Sequence, residues 1–116
     1  MSNKTNLKEV DLSDLSLTGL PDNMFNNRLY MLTWVTLPKQ LEAIGASTFE
    51  NCPELRDLQL PATLKTIGSY AFRYSYNFYH ANIPEGVLVG SGAFRNSGIR
   101  KVTLPSSLKE DRKSVV

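Results

Sequence analysis

Cys52 and His80, the sequence's one cysteine and one histidine, are the pair that could do nucleophilic chemistry. Such a pair works when the imidazole takes the thiol proton and a carboxylate orients the ring. The position of Cys52 points elsewhere. It stands just after Phe49, at a slot that Ser75 and Ser97 fill further along the chain. A place open to either Cys or Ser beside an apolar ring reads as small packing, with the thiol at least partly buried and unreactive. One His and one Cys provide no metal-ligand spacing, and the scattered acids Glu42, Glu50, Glu54 and Asp57 form no ion-binding loop. Gly90-Ser91-Gly92 lacks the Gly-Lys-Ser/Thr ending of a phosphate loop. Asn3-Lys4-Thr5 fits a glycan acceptor triplet, a pattern common by chance. The sequence therefore reads as non-enzymatic, with no catalytic residue, no metal and no cofactor.

What positions these residues is a repeat. The stretch Leu55-Arg56-Asp57-Leu58-Gln59-Leu60-Pro61 continues through Leu64, Ile67-Gly68 and Ala71-Phe72. Its apolar slots recur 23 residues upstream as Leu32, Val35, Leu37-Pro38, Leu41, Ile44-Gly45 and Thr48-Phe49. Downstream stand Phe78, Ala81, Ile83-Pro84, Val89-Gly90 and Ala93-Phe94, with one residue deleted between Pro84 and Val89. The organisation is a single domain, 1–116: a degenerate first repeat 7–31, repeats 32–54, 55–77 and 78–98, a partial repeat 99–108 and a charged tail 109–116.

Leu-x-x-Leu-x-Leu reads as a short strand with its last two apolar residues facing one side. The Pro that follows cannot donate to a ladder, so it ends the strand. Leu-x-x-Ile-Gly is the returning arm, where Gly is expected to permit a backbone geometry other residues resist. Ala-Phe fills the interior, and such a coil becomes stable only when stacked on its neighbours.

These residues resemble leucine-rich repeats of the BspA type, through Leu-Pro at 37–38, 60–61 and 104–105, Ile-Gly at 44–45 and 67–68, and Ala-Phe at 71–72 and 93–94. The likeness covers 7–108. It implies a right-handed leucine-rich-repeat solenoid, mostly β and coil. One short parallel strand is expected per roughly 23-residue repeat, with 3-10 or irregular segments opposite. It also implies adhesion or protein recognition, at a bacterial cell surface or outside the cell.

Bulk properties agree with a folded domain of modest size. Hydrophobic residues make up 41%, charged residues 21%, and the mean hydropathy is -0.24. A net charge of +2 is too weak to argue for nucleic acid. No apolar run is long enough to insert in a membrane, and the opening residues lack the apolar core of a secretory leader. Residues 1–50 carry four Lys/Arg and six Asp/Glu (−2), and residues 51–116 carry nine and five (+4).

If the last two leucines face inward, the residues beside the middle one face outward on the concave side. Copy by copy these are Glu9 and Asp11, Trp34 and Thr36, Asp57 and Gln59, His80 and Asn82, and Lys101 and Thr103, with Arg56, Tyr79 and Arg100 as a possible rim. The face runs from acidic through aromatic to basic. Trp34 is its sharpest candidate, since Trp, Tyr and Arg dominate interface hot spots, although packing against the irregular first copy is the other role open to it. Tyr74 and Tyr76, on a connecting loop, are either a second patch or loop packing. Two functions follow: a module recognising a protein or glycan on this face, or a spacer within a longer solenoid without a ligand of its own. Uncapped repeat ends would allow self-association.

Overall fold

The computed structural model describes residues 7–27, 30–78 and 80–98, and the backbone of 101–103. Tyr79, Arg100, Leu104, the tail and the Asn3 triplet lie outside the described residues, as do the side chains of Lys101 and Thr103. Eight short strands run along the described chain: β1 (Glu9–Asp11), β2 (Gly19–Leu20), β3 (Trp34–Thr36), β4 (Ala43–Ile44), β5 (Thr66–Ile67), β6 (His80–Asn82), β7 (Leu88–Val89) and β8 (Lys101–Thr103). All pairing is parallel, as stacked coils of one hand require.

The repeat's opening run supplies β1, β3, β6 and β8, which form two sheets, β1–β3 and β6–β8. The copy between them makes no strand. Among the described residues, the backbone of 56–60 has no hydrogen bond to either neighbouring coil. Leu58 is nonetheless buried, so the inward-outward alternation persists there without the ladder.

Continuity comes from the returning arm. There β2, β4, β5 and β7 build a four-stranded ladder, with Leu20, Ile44, Ile67 and Val89 in register. Each glycine after the arm extends it by one bond: Gly45 N–H donates to Leu20 O at 2.9 Å, Gly68 to Ile44 O at 2.7 Å and Gly90 to Ile67 O at 2.8 Å. These glycines are not in the left-handed region, so conformational freedom is not their reason. Proximity is. A β-carbon on Gly45 would meet Asp22 Oδ1 at 2.6 Å, and one on Gly90 would meet Ser69 N at 2.5 Å.

A third side is made of consecutive turns. Left-handed residues stand four apart in each coil: Asn23 and Asn27, Ser47 and Asn51, Tyr70 and Tyr74, Gly92 and Asn96. This twist aims alternate amides at the next coil. Asn23, Phe25 and Asn27 donate to Ala46, Thr48 and Glu50, and Ser47, Phe49 and Asn51 donate to Ser69, Ala71 and Arg73. Tyr70, Phe72 and Tyr74 donate in turn to Ser91, Ala93 and Arg95.

Inside the stack runs a column of rings. Phe25, Phe49, Phe72 and Phe94 stack at 5.4, 5.3 and 5.3 Å, and Phe78 lies 4.4 Å from Phe72. Offset stacking at these distances adds about 0.5–1.5 kcal/mol per pair beyond burial. Ala71 and Ala93 are fully buried beside the rings; Thr48 fills their slot and bonds Gly45 O at 2.8 Å and Pro21 O at 3.1 Å.

Candidate functional site: the strand face

The register of the strands determines which outward residues become neighbours. Glu9 lies opposite Trp34 and Asp11 opposite Thr36 across β1–β3. His80 lies opposite Lys101 and Asn82 opposite Thr103 across β6–β8. In the copy without a strand, Asp57 reaches across to His80, with Oδ1 at 3.5 Å from Nδ1. Asn82, Gln59 and Arg56 are exposed. Among the described residues none of these outward positions is buried, although the sheet beneath them is interrupted.

Trp34 is half-buried rather than projecting. Its Nε1 donates to Thr36 Oγ1 at 3.1 Å, so the indole is tethered to the residue two positions along its own strand. One ring edge is committed to the protein, and part of the remaining surface stays exposed. Asp11 is held below the usual carboxylate range by the Ser13 hydroxyl and amide, the amide donating to Oδ1 at 2.9 Å. These bonds favour the charged form of Asp11.

Beside this face a cleft of about 360 Å³ opens where the chain enters the strands, lined by Lys8, Tyr30, Met31, Thr33 and Glu54. Tyr30 and Met31 are exposed there, and the Tyr30 hydroxyl donates to Asn27 Oδ1 at 3.0 Å. Periodicity reveals only part of this cleft: Lys8 and Thr33 open their repeats, but Tyr30, Met31 and Glu54 come from the links between copies.

The Cys–His pair is not assembled. Cys52 is fully buried, with Sγ 3.6 Å from Phe25 O, and desolvation pushes its thiol up to about 12. Its slot-mate Ser75 is equally buried, donating to Phe49 O at 2.5 Å and accepting from Cys52 N at 3.2 Å. His80, by contrast, sits on the exposed strand face. Gly90-Ser91-Gly92 lies in the third-side turn, where Gly92, at φ +62°, packs under the Tyr70 ring. No group of three or more His, Cys, Asp or Glu among the described residues is placed to hold a metal. Among them, too, no helix is long and apolar enough to cross a membrane.

A second cluster lies on the third side. Arg73 pairs with Glu50, Nη2 to Oε2 at 2.6 Å and Nε to Oε2 at 2.7 Å. The hydrogen bond to Glu50 raises the arginine's affinity for its proton. Its guanidinium lies 4.2 Å from the Tyr70 ring centre and 5.1 Å from that of Tyr74. The pair was not anticipated, yet the repeat carried a signal for it. Glu50 and Arg73 fill the same slot in consecutive copies, and so do Glu42 and Lys65, which pair at 3.4 Å.

With this geometry in view, the comparisons are specific. Residues 2–115 match the BspA type leucine rich repeat region in six copies. A crystal structure of a leucine-rich repeat protein from Bacteroides ovatus ATCC 8483 superposes with a TM-score of 0.77 at 32% identity. That match covers 87% of this chain and 26% of the other. The T. pallidum leucine rich repeat protein gives a TM-score of 0.72 at 22% identity, over 87% of this chain and 60% of that one. The chain thus spans about a quarter and somewhat over half of these solved relatives. No curated protein matches it.

Proposed function

This chain belongs to the BspA-type leucine-rich repeat family, and from that premise we propose a non-enzymatic recognition module whose strand face holds a protein or glycan at a bacterial surface. The observation that carries this reading is the pair of outward columns, which set Trp34 between the acids Glu9 and Asp11 and the polar Asp57, His80 and Asn82. A partly exposed indole bordered by acidic and polar side chains has the makeup of an aromatic anchor inside a polar rim. Arg56 and Gln59 extend the surface, with Lys101, Thr103, Tyr79 and Arg100 continuing it by sequence position. Residues carried on stacked coils would meet a partner with less ordering cost than residues on a free loop. Adhesion at the cell exterior is the setting this reading favours.

A second reading, a spacer without a ligand, draws support from one observation. Trp34 bonds Thr36 and Asp57 contacts His80, so part of the face's polar capacity is directed at itself. Pull-down from host extracellular material together with a glycan array, using wild type and Trp34→Ala, separates the two. Selective loss of a ligand in the variant is the expected result. Equal retention of every ligand by both proteins would sink the assigned surface, and capture of nothing by either would favour the spacer.

A further inference from the structure

We propose that the flank of the third coil is a second binding surface, distinct from the strand face, whose ligand is an acidic oligosaccharide. Five side chains make it, and each lies near the next. Tyr76 and Tyr74 have ring centres 6.3 Å apart, Arg73 lies 5.1 Å from the Tyr74 ring and 4.2 Å from that of Tyr70, and Arg95 stands 5.9 Å over Tyr70.

The backbone beneath is unusual for its residue types. Tyr70 (φ 58°) and Tyr74 (φ 64°) are left-handed at slots where the other coils use Asn, Ser or Gly. Asn and Gly tolerate that region far better than an aromatic residue does. Placing two rings there, four residues apart, brings both against one guanidinium. Shielding the Glu50–Arg73 pair accounts for Tyr70 and Tyr74. It does not account for Tyr76, 60% exposed, or for Arg95, exposed and without an acidic partner among the described residues.

The chemistry of the patch selects the ligand. Tyr76, the most exposed of the three rings, offers a flat apolar face on which the C–H bonds of a pyranose can lie, with a hydroxyl at its edge for polar groups. Arg95 offers a planar donor fork matched to a carboxylate or sulfate. Arg73 is neutralised by Glu50, so the net charge offered is that of Arg95. A peptide would look for a free strand edge or a groove. Here the amides of Tyr70, Phe72 and Tyr74 are already bonded coil to coil, which leaves no edge to extend.

The test is calorimetric titration of the intact chain with hexasaccharides of galacturonate, hyaluronan and chondroitin sulfate, beside neutral maltohexaose and a hexaglutamate peptide. At least one acidic hexasaccharide should bind, with maltohexaose about tenfold weaker. The double variant Tyr76→Ala/Arg95→Ala should weaken that binding about tenfold or more, while its circular dichroism and melting stay unchanged because both side chains are exposed. Trp34→Ala should bind as wild type. Four results would overturn the proposal: silence from all three acidic sugars, full retention by the double variant, hexaglutamate binding as tightly as the best sugar, or loss of binding in Trp34→Ala.

Discussion

Gly68 and Ala46 meet backbone to backbone across two coils: a β-carbon on the glycine would collide with the Ala46 nitrogen. That atom cannot swing aside as a side chain would, so an added methyl must part the coils. Gly68→Ala is expected to cost about 1–3 kcal/mol through overpacking. In a domain of this size that lowers the melting temperature by several degrees. Gly19 is the control. Its nearest neighbours would stand 3.9 Å from an added β-carbon, so Gly19→Ala should melt within about 0.5 kcal/mol of wild type. Thermal circular dichroism of the two variants measures both.

Cys52 should be inert to thiol reagents in the native protein at pH 8 and react fully once unfolded, because burial holds the thiol neutral. Folding raises its value from 9.0 to about 12, so the neutral form is the one the fold favours. This contribution is intact below pH 9 and is lost as pH rises toward 12. Cys52→Ser places there the residue that Ser75 supplies one coil on. The stability difference between wild type and Cys52→Ser should therefore shift in favour of the variant above pH 9 in urea melts. A pH-independent difference would refute the assignment.

The stacked interior was legible because it repeats. Leu32, Leu55 and Phe78, or Phe49, Phe72 and Phe94, announce one site several times over, and all are buried. The pairing of Glu9 with Trp34 and His80 with Lys101 followed from the same alignment. What stayed hidden depends on distances between coils. The returning arm forms a ladder because its backbones approach closely enough to exclude a β-carbon, a fact that spacing alone does not carry. The missing strand at Asp57–Gln59 has the same origin, since side chains of the right pattern cannot report the separation of the main chains. Trp34 was recognisable as outward-facing, but its bond to Thr36 depends on a rotamer.

Removing the cation from the Glu50–Arg73 pair should be costly. Glu50 is 6% exposed, and Arg73→Met would leave its carboxylate buried without a partner. Breaking such a pair costs about 3–5 kcal/mol, less to the extent that Arg73 reaches solvent. Glu50→Gln combined with Arg73→Met should recover much of the loss, since no charge is then stranded. Urea denaturation of the two single variants and the double variant decides this. Additive losses would show that the two residues act independently.

Phe72 touches Phe49, Phe78 and Phe94, so Phe72→Ala removes ring contacts at the centre of the stack. A loss of about 3–5 kcal/mol is expected. Phe25 has one ring neighbour, Phe49, and its truncation should be milder. Melting curves that rank the two in the opposite order would contradict a column whose middle carries more than its end.

The bonds along the third side all run one way, each coil donating to the one that follows it. Extended strands alternate the sense of their amides and largely cancel. These turns do not, so their peptide dipoles add along the stacking axis, much as they do in a helix. The positive pole points toward the later coils, the same direction in which formal charge passes from −2 in residues 1–50 to +4 in residues 51–116. The molecule is thereby electrically vectorial. Approaching ions and neighbours meet a different potential at either end of the coil axis, and low salt should sharpen that contrast.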